Sequence, residues 1–500
     1  MKKFLYLFVI LLSVFLLVSC GKSDETDEPK EVKQFDLTDD IKCTFTDGVL
    51  EFSGKGKIPD YSEEIYEGYF LAKSILEKNL EENSSEIMEV LNDLGEGNFE
   101  NKEDLLNYII QQSEGGIIPW IEYNERIEKV VIGDGITSVG SYTFYNCANL
   151  SEIKIAGTVT EIGKGAFKNC SKLEKISIPK KLQVIEDETF YSCNSLKKIK
   201  IPDEVKKIGE KAFWNCYGIT SISFESKIES IGYAAFENCT DLKVLSTIPK
   251  SVVKIGDRAF AGTSINKFDV HKENESYCTK DGIIFTKDMK TLVRFGKGTE
   301  KYTVPKETVK IGNYAFMGTD IKHITLHNGV TEIGKSSFRN CNNLEEITIP
   351  DSVKSIGSSC FELSKKLKKI TLSSNIENVE DWTFKNCVSL EEINFPSKIK
   401  YIGKSAFNNC DSLTKVILPK GCLTLGDRAF YDCEALKKVY IPNSIQTGGN
   451  YPFLLCGNIE TFYYEGSYEE WNERLYGVNR TGVFKFDVVY DCENIDDIYD

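Results

Sequence analysis

The stretch AFKNCSKLEKISIP, residues 166–179, returns 23 residues later as TFYSCNSLKKIKIP, residues 189–202. Both copies contain a Phe, a Cys three residues after it, a Leu, two alternating Ile and a final Pro. Eleven of the twelve steps between successive copies of this Phe are 22 to 24 residues long, and one step is 56 residues. The recurring residues are Phe144, Phe167, Phe190, Phe213, Phe236, Phe260, Phe316, Phe338, Phe361, Phe384, Phe407, Phe430 and Phe453. Such a period is typical of a solenoid in which each repeat forms one coil.

Each repeat has the signals of a strand, a turn and a second edge. The stretch 173–178 ends in the alternation of a strand with one buried face. Pro179 removes a backbone donor directly afterwards, so strand pairing stops and the chain turns. A second apolar pair, such as Val159 and Ile162, predicts another edge, and we expect Gly163 to permit the tight bend that follows it.

These repeats resemble the BspA-like leucine-rich repeats, which occur in surface lipoproteins and adhesins. The resemblance implies an α+β repeat fold, a leucine-rich-repeat solenoid of about 13 coils of 23 residues over residues 125–456. The flanks fit the same family: residues 35–124 resemble its N-terminal cap, and residues 457–500 a β-rich C-terminal cap with an acidic tail. DGIIFTKDMKTLVRF, within the long step, resembles the hairpin that the family inserts between coils, here near residues 270–303.

Residues 62–116 depart from the family pattern, because Ile65, Tyr69 and Ala72 follow helical spacing and Asn101 begins a second helical pattern. We interpret this segment as a helical insertion in the N-terminal cap. One interpretation is a cover for the first coil, since open solenoid ends need polar caps. The alternative is a separate enzymatic activity, which the absence of His and Cys from the insertion disfavours.

The N-terminus has the pattern of an export signal. Two lysines precede an apolar run over residues 4–18, which is shorter than a spanning helix requires. Residues 17–20, LVSC, resemble a bacterial lipobox, which implies a signal peptide over residues 1–19 and a lipid on Cys20. Residues 20–34 are rich in charge and predict a flexible tether. The alternative is an ordinary secretory signal in which Cys20 is incidental.

The composition disfavours nucleic acid, and no motif predicts chemistry. The formal net charge is −15, which opposes binding to phosphate backbones. The sequence contains no nucleophile elbow, phosphate-binding loop or zinc-protease motif. His323 and His327 lack a third ligand nearby in sequence, so we expect neither a metal site nor a cofactor.

Ten cysteines occupy the position three residues after the recurring Phe, and we refer to them as the Cys ladder. They form a run of five, one isolated member and a run of four, and Thr or Ser takes the intervening positions, so they cannot all pair within the ladder. The 23-residue step does not match zinc-ligand spacing, and a thiol buried among apolar groups is a poor nucleophile. We therefore predict free, buried, structural thiols. The ladder consists of Cys147, Cys170, Cys193, Cys216, Cys239, Cys341, Cys387, Cys410, Cys433 and Cys456.

The residue between the two strand aliphatics should point away from the core in every coil. This outward row is polar in most coils and becomes apolar at Ile417, Tyr440 and Tyr463. An exposed aromatic stripe is a good protein-binding surface, so these three residues are the predicted partner site. The alternative is that the C-terminal segment with Trp471 covers them.

The combined features predict a lipid-anchored cell-surface protein that binds other macromolecules. The partner would be an extracellular or host protein, or the surface of a partner cell, with the membrane reached through the lipid. The resemblance supplies the adhesin role. The alternatives are an envelope scaffold that faces the periplasm, and an enzyme whose activity resides in the insertion.

Overall fold

The structure is a computed structural model that describes residues 32–64, 66–67, 69, 118–225, 227–475 and 487–492. The signal peptide, Cys20 and most of the tether and of the helical insertion lie outside the described residues. Of the insertion, Ser62, Glu63, Glu64, Tyr66, Glu67 and Tyr69 are described, and all but Ser62 are helical.

The N-terminal cap is an antiparallel meander of strands, and its third strand joins the solenoid by pairing in parallel with a strand of the first coil. Trp120 fills the base of the cap, with its ring centroid 5.2 Å from that of Phe52 and 6.3 Å from that of Phe144. The open end of the core is thereby covered by aromatic rings. The cap strands are Val32–Thr38, Ile41–Thr46, Val49–Gly54 and Gly56–Lys57, and the 3-10 helix Ile121–Arg126 precedes the array.

Two rows of parallel strands run along the array, because most coils contribute one strand to each row. We call the members of the first row the long strands and those of the second row the short strands, after their usual lengths. The long strands are Lys129–Ile132, Glu152–Ile155, Lys198–Ile201, Ser221–Phe224, Val244–Leu245, Lys301–Thr303, His323–Thr325, Glu346–Thr348, Lys369–Thr371, Lys415–Ile417, Lys438–Ile441 and Thr461–Tyr464. The short strands are Ile136–Val139, Glu161–Ile162, Val184–Ile185, Lys207–Ile208, Ser230–Ile231, Lys254–Ile255, Lys310–Ile311, Glu332–Ile333, Ser355–Ile356, Asn378–Val379, Tyr401–Ile402, Thr424–Leu425 and Thr447–Gly448. Residues 23 apart pair in register, as Ile199 does with Ile222. The repeat period therefore sets the register of the sheet.

The third side of each coil, which we call the turn face, is built from turns around the recurring Phe. Backbone bonds link it from coil to coil, as where the Phe144 N–H donates to the Ala166 carbonyl at 2.8 Å. The Phe rings stack inside: those of Phe167 and Phe190 have centroids 5.5 Å apart and are 4° from parallel. All thirteen recurring Phe are at most 1% exposed. Buried rings and coil-to-coil backbone bonds thus hold the coils together, as the repeat pattern predicts.

Gly163 lies directly before the turn that leads to Phe167, where the sequence places a tight bend. Its backbone is not left-handed; in that coil the positive φ angles fall on Gly165 and Asn169. A Cβ at Gly163 would instead lie 2.5 Å from the Ser141 backbone nitrogen in the preceding coil. Gly suits this corner because the backbones of successive coils approach closely there, although Glu186 and Glu380 take the same position in two other coils.

The long step between Phe260 and Phe316 contains an antiparallel meander, with the hairpin in the region where the sequence places it. The meander strands are Tyr277–Lys280, Ile283–Thr286 and Thr291–Arg294. The third of them joins the row of short strands by pairing with Lys310–Ile311. Phe295 then takes the anchor position, with its ring centroid 4.6 Å from that of Phe316. The sequence pattern missed this anchor because its spacing is irregular.

A buried arginine connects this insertion to the array. The Arg294 Nη1 donates to the Tyr314 carbonyl at 2.9 Å and to the Met317 carbonyl at 3.2 Å. In an ordinary coil pair, the equivalent of the Met317 carbonyl accepts a backbone N–H, as the Ala261 carbonyl does from Asn238. Burial lowers the pKa of Arg294 to about 10. The side chain therefore replaces a donor that the interrupted coil does not supply.

The C-terminal cap combines a helix with one further strand. The helix Tyr468–Arg474 begins at a capping box formed by Ser467 and Glu470. The Trp471 ring centroid lies 5.6 Å from that of Phe462 and 5.4 Å from that of Tyr464, so the indole closes the end of the core. The strand Asp487–Val489 pairs with Thr461–Tyr464 as the last member of the sheet.

Candidate partner-binding surfaces

The predicted stripe exists as a row of neighbours, but it is not a free surface. Ile417 pairs with Tyr440, and Tyr440 pairs with Tyr463, in adjacent parallel strands. Tyr440 is 0% exposed, whereas Ile417 and Tyr463 are partly exposed. The expectation that Tyr440 is an exposed binding residue is therefore wrong.

The cause is the closure of the solenoid at this end. Burial, together with the nearby Glu465 carboxylate and Cys492, raises the pKa of the Tyr440 phenol. Cys492 follows the last strand, and its N–H donates to the Tyr464 carbonyl at 3.1 Å. The alternative, a C-terminal segment that covers the stripe, therefore describes the surroundings of Tyr440 better. Trp471 is not the covering residue, because it packs against Phe462 and Tyr464 on the core side of the sheet.

The outward row is exposed where it is polar. Lys154, Ser177, Lys200 and Ser223 are exposed in the first half of the array. Thr325, Thr348, Thr371 and Asn394 continue the exposed row in the second half. This row forms the solvated side of the long-strand sheet.

The Cys ladder is buried, and its thiols act as hydrogen-bond donors as well as core groups. All ten members are 0 to 3% exposed, and the described cysteines are free. The Cys193 Sγ lies 3.1 Å from the Phe167 carbonyl oxygen of the preceding coil, and the later ladder members repeat this contact. Ser364, which takes a ladder position, donates to the Phe338 carbonyl at 2.8 Å in the same way. Burial raises the pKa of ladder thiols such as Cys170 and Cys216, and to about 12 for Cys341, which makes these thiols weak nucleophiles.

His323, in a long strand, and His327, just after it, have different surroundings. His323 is exposed, and the His327 Nε2 lies 2.8 Å from the Pro305 carbonyl oxygen. The part of the chain that the structure describes holds no group of three or more His, Cys, Asp or Glu side chains placed to bind a metal ion.

A different row on the turn face gathers aromatic side chains. We call it the corner row; it consists of the residue directly after the recurring Phe in each coil. Its first four members are Tyr145, Lys168, Tyr191 and Trp214. The Lys168 Nζ lies 4.8 Å from the Tyr191 ring centroid, and that ring stacks on the Trp214 indole at 4.5 Å. The Trp214 Nε1 in turn donates to Glu237 at 3.3 Å, so each member holds the next in place.

The described base of the helical insertion covers the beginning of the corner row. Tyr66 is 1% exposed, and its ring makes an edge contact with Tyr145 at a centroid distance of 4.8 Å. The Lys168 Nζ lies 2.6 Å from a Glu63 carboxylate oxygen and 2.6 Å from one of Glu188. These contacts agree with the interpretation of the insertion as a cover for the first coils.

Beyond this covered part, the turn face carries an aromatic patch formed by Tyr191, Trp214 and Tyr217. Tyr191 and Trp214 are partly exposed, and Tyr217 is 43% exposed. Aromatic residues of this kind are enriched at protein interfaces and dominate their binding energy. The sequence pattern did not predict the patch, because the residue after the Phe varies between coils. The pairs FY, FK, FY and FW in the first four coils nevertheless indicate aromatic residues at this position.

Comparison with known proteins agrees with this architecture. The family model described as "BspA type Leucine rich repeat region (6 copies)" matches residues 63–180, 121–243, 160–280, 296–411 and 354–481. The chain therefore belongs to the BspA-type leucine-rich repeat proteins. Leucine-rich repeat proteins generally bind other proteins.

Solved structures share the fold at low sequence identity. A leucine-rich repeat protein from Eubacterium ventriosum is 24% identical, with 84% of this chain and 94% of that chain covered and a TM-score of 0.59. A leucine rich cell surface protein from Faecalibacterium prausnitzii is 21% identical, with 89% and 97% covered and a TM-score of 0.50. No curated protein sequence matches the chain.

The predicted membrane attachment falls outside the structure. Cys20, the predicted lipidation site, does not lie among the described residues. Within residues that are described, no helix has the length and apolarity needed to cross a bilayer.

Proposed function

We propose that this chain is a lipid-anchored protein of the cell surface that binds another protein, as an adhesin or in contact with a host or partner cell. The observation that carries the proposal is the aromatic patch, in which Tyr191 and Trp214 stack and stay partly exposed and Tyr217 is 43% exposed. The anchor rests on the lipobox at residues 17–20 and on the charged segment after it.

Surface exposure and anchoring can be tested on intact cells. Protease treatment should remove the solenoid from the cell surface, and Cys20→Ala should release the protein from the membrane fraction. Survival of the full-length protein on intact, protease-treated cells would contradict surface placement and favour the scaffold that faces the periplasm. An internal protein, degraded only after lysis, serves as the control for cell integrity.

Binding can be tested with the chain from Gly21 to Asp500. Immobilised, it should retain proteins from a mixture of extracellular proteins and from partner-cell surfaces, identified by mass spectrometry. Retention of the same proteins by an unrelated solenoid of similar charge would contradict the proposal.

A further inference from the structure

The first residues of the corner row bind a helical segment of the chain itself, and the exposed part of the row follows directly after them. Glu63 and Tyr66 lie one helical turn apart, and they contact Lys168 and Tyr145 in two successive coils. The Lys168 side chain is 12% exposed and that of Glu63 is 26% exposed, so the ion pair is largely shielded from water. A helical turn with an acidic and an aromatic side chain therefore fits this row at two successive coils that carry a tyrosine and a lysine.

The aromatic patch offers the same chemistry in the following coils, where two lysines lie beside it and form no ion pair with a described residue. Lys211 precedes Trp214 by one turn, since the Trp214 N–H donates to its carbonyl at 3.0 Å. The Lys197 ammonium lies beside Gly218, next to Tyr217. Neither lysine forms an ion pair with any residue that the structure describes. Lys168, in contrast, is held between Glu63 and Glu188.

Charge at the edge of the patch favours an acidic partner. Two acids of the corner side, Glu188 and Glu237, are already paired with Lys168 and Arg258. Asp241 borders the patch toward the next coil, where its N–H donates to the Tyr217 carbonyl. The protein as a whole is strongly acidic, so two lysines beside exposed aromatic rings, with no ion pair to a described residue, are a local exception that attracts acidic partners.

The ring geometry favours a protein over a glycan. The Lys168 ammonium lies over the Tyr191 ring, and the Trp214 indole stacks on it. A sugar that stacks on an aromatic platform needs a free ring face, whereas protein side chains also pack against ring edges and bond to phenol and indole groups. Tyr191 therefore presents mainly its edge and its hydroxyl to a partner.

We propose that the aromatic patch, together with Lys197 and Lys211, binds an acidic, aromatic helical segment of a partner protein, in the manner in which Lys168 and Tyr145 hold Glu63 and Tyr66. The proposal rests on the proposed function and adds to it the site and the class of partner. Carboxylates of the segment pair with the two lysines, and its aromatic side chain packs against Trp214 and Tyr217.

The probe for this proposal is a helix-stabilised peptide with the sequence of residues 62–71, SEEIYEGYFL, labelled with a fluorophore. Fluorescence anisotropy with the chain from Gly21 to Asp500 should give saturable binding. Trp214→Ala and the pair Lys197→Glu with Lys211→Glu should each weaken binding at least about tenfold. Tyr431→Ala is the matched control, because it removes a corner-row residue from a distant coil, and it should leave binding unchanged.

Further variants keep the test decisive. Tyr217→Ala, at a ring that is 43% exposed, should weaken binding without changing the melting temperature, so a folding defect in Trp214→Ala does not decide the result. A peptide with its three Glu replaced by Gln should bind at least several-fold more weakly. Absence of saturable binding, or equal binding by all variants, would overturn the proposal. Binding that Lys168→Met abolishes and Trp214→Ala leaves intact would also overturn it, because the peptide would then only replace the chain's own segment.

The outcome is separable from that of the proposed function. If the Trp214→Ala variant still retains the same extracellular proteins as the unaltered chain, the proposed function stands and this site assignment fails. If the unaltered chain binds the peptide but retains no extracellular protein, the site assignment stands and the proposed function fails.

Discussion

The Cys216 thiol donates a hydrogen bond to the Phe190 carbonyl of the preceding coil, with 3.0 Å between sulfur and oxygen. The same contact recurs along the ladder, and Ser364 repeats it, whereas Thr263 and Thr319 donate to the Phe carbonyl of their own coil. The ladder position requires a side chain that is small and can also donate. A purely apolar interpretation of the thiol accounts for its size but not for these substitutes.

Substitutions at Cys216 should separate the two requirements. Cys216→Ser keeps the donor, as Ser364 does toward the Phe338 carbonyl, and should cost less stability than Cys216→Ala. Cys216→Ala leaves a small cavity and a buried carbonyl with one partner fewer, for a loss of about 1 to 3 kcal/mol. Urea denaturation of the reduced protein measures both. Equal stability of the Ala variant and the unaltered protein would contradict a role for the hydrogen bond.

Thiol reactivity should divide the cysteines by burial. Cys278, in the inserted meander, is partly exposed, whereas the ladder thiols are buried. Burial raises the pKa of Cys278 as well as that of ladder thiols such as Cys216, so the difference in accessibility decides the order of reaction. In the native protein at neutral pH we expect iodoacetamide to modify Cys278 first, and the ladder only after denaturation. Peptide mapping by mass spectrometry gives the order. Ladder thiols that remain unmodified after denaturation without reductant would indicate disulfides and contradict free thiols.

Gly232 should tolerate no side chain, because a Cβ there would lie 2.6 Å from the Gly209 carbonyl carbon and 2.8 Å from the Glu210 nitrogen. We expect Gly232→Ala to lower the free energy of unfolding by more than about 2 kcal/mol, since backbone of the neighbouring coil must move. Gly157→Ala is the control, with no atom within 4 Å of its Cβ and no positive φ, and should be neutral or slightly stabilising. Similar melting temperatures for the two variants would argue against the close approach of coils.

The repeat period predicted the solenoid, the thirteen Phe anchors and the buried ladder, because these depend on residues that recur with the coil. The remaining features depend on residues that do not recur. Arg294 and Phe295 replace groups that the interrupted coil lacks, and only the three-dimensional path of the insertion brings them to Met317 and Phe316. The residue type in the corner row varies from coil to coil, and burial of Tyr440 depends on a segment far along the chain. A repeat template contains neither the path of an insertion nor the residue types that vary between coils.

Tyr440 should behave as a structural residue of the C-terminal cap. Because its ring is 0% exposed, Tyr440→Ala should destabilise the protein by about 3 to 5 kcal/mol, the range for a buried aromatic residue. Tyr440→Phe keeps the ring and should lose at most about 1.5 kcal/mol. Thermal melting followed by circular dichroism compares the two. Weaker partner binding by Tyr440→Ala at an unchanged melting temperature would instead support the original expectation of an exposed stripe.

Arg294 should be among the most sensitive charged residues, because it supplies the donor for two carbonyls at the junction of the insertion with the array. Arg294→Met retains the apolar stem but leaves the Tyr314 and Met317 carbonyls without that donor. We expect a loss of about 2 to 4 kcal/mol. Lys290→Met is the matched control in the same meander, since its side chain is 68% exposed and pairs only loosely with Asp288 at 4.0 Å. That variant should change stability by less than about 0.5 kcal/mol. Equal effects of the two substitutions would show that the backbone of the insertion, without Arg294, is sufficient to join the two halves of the core.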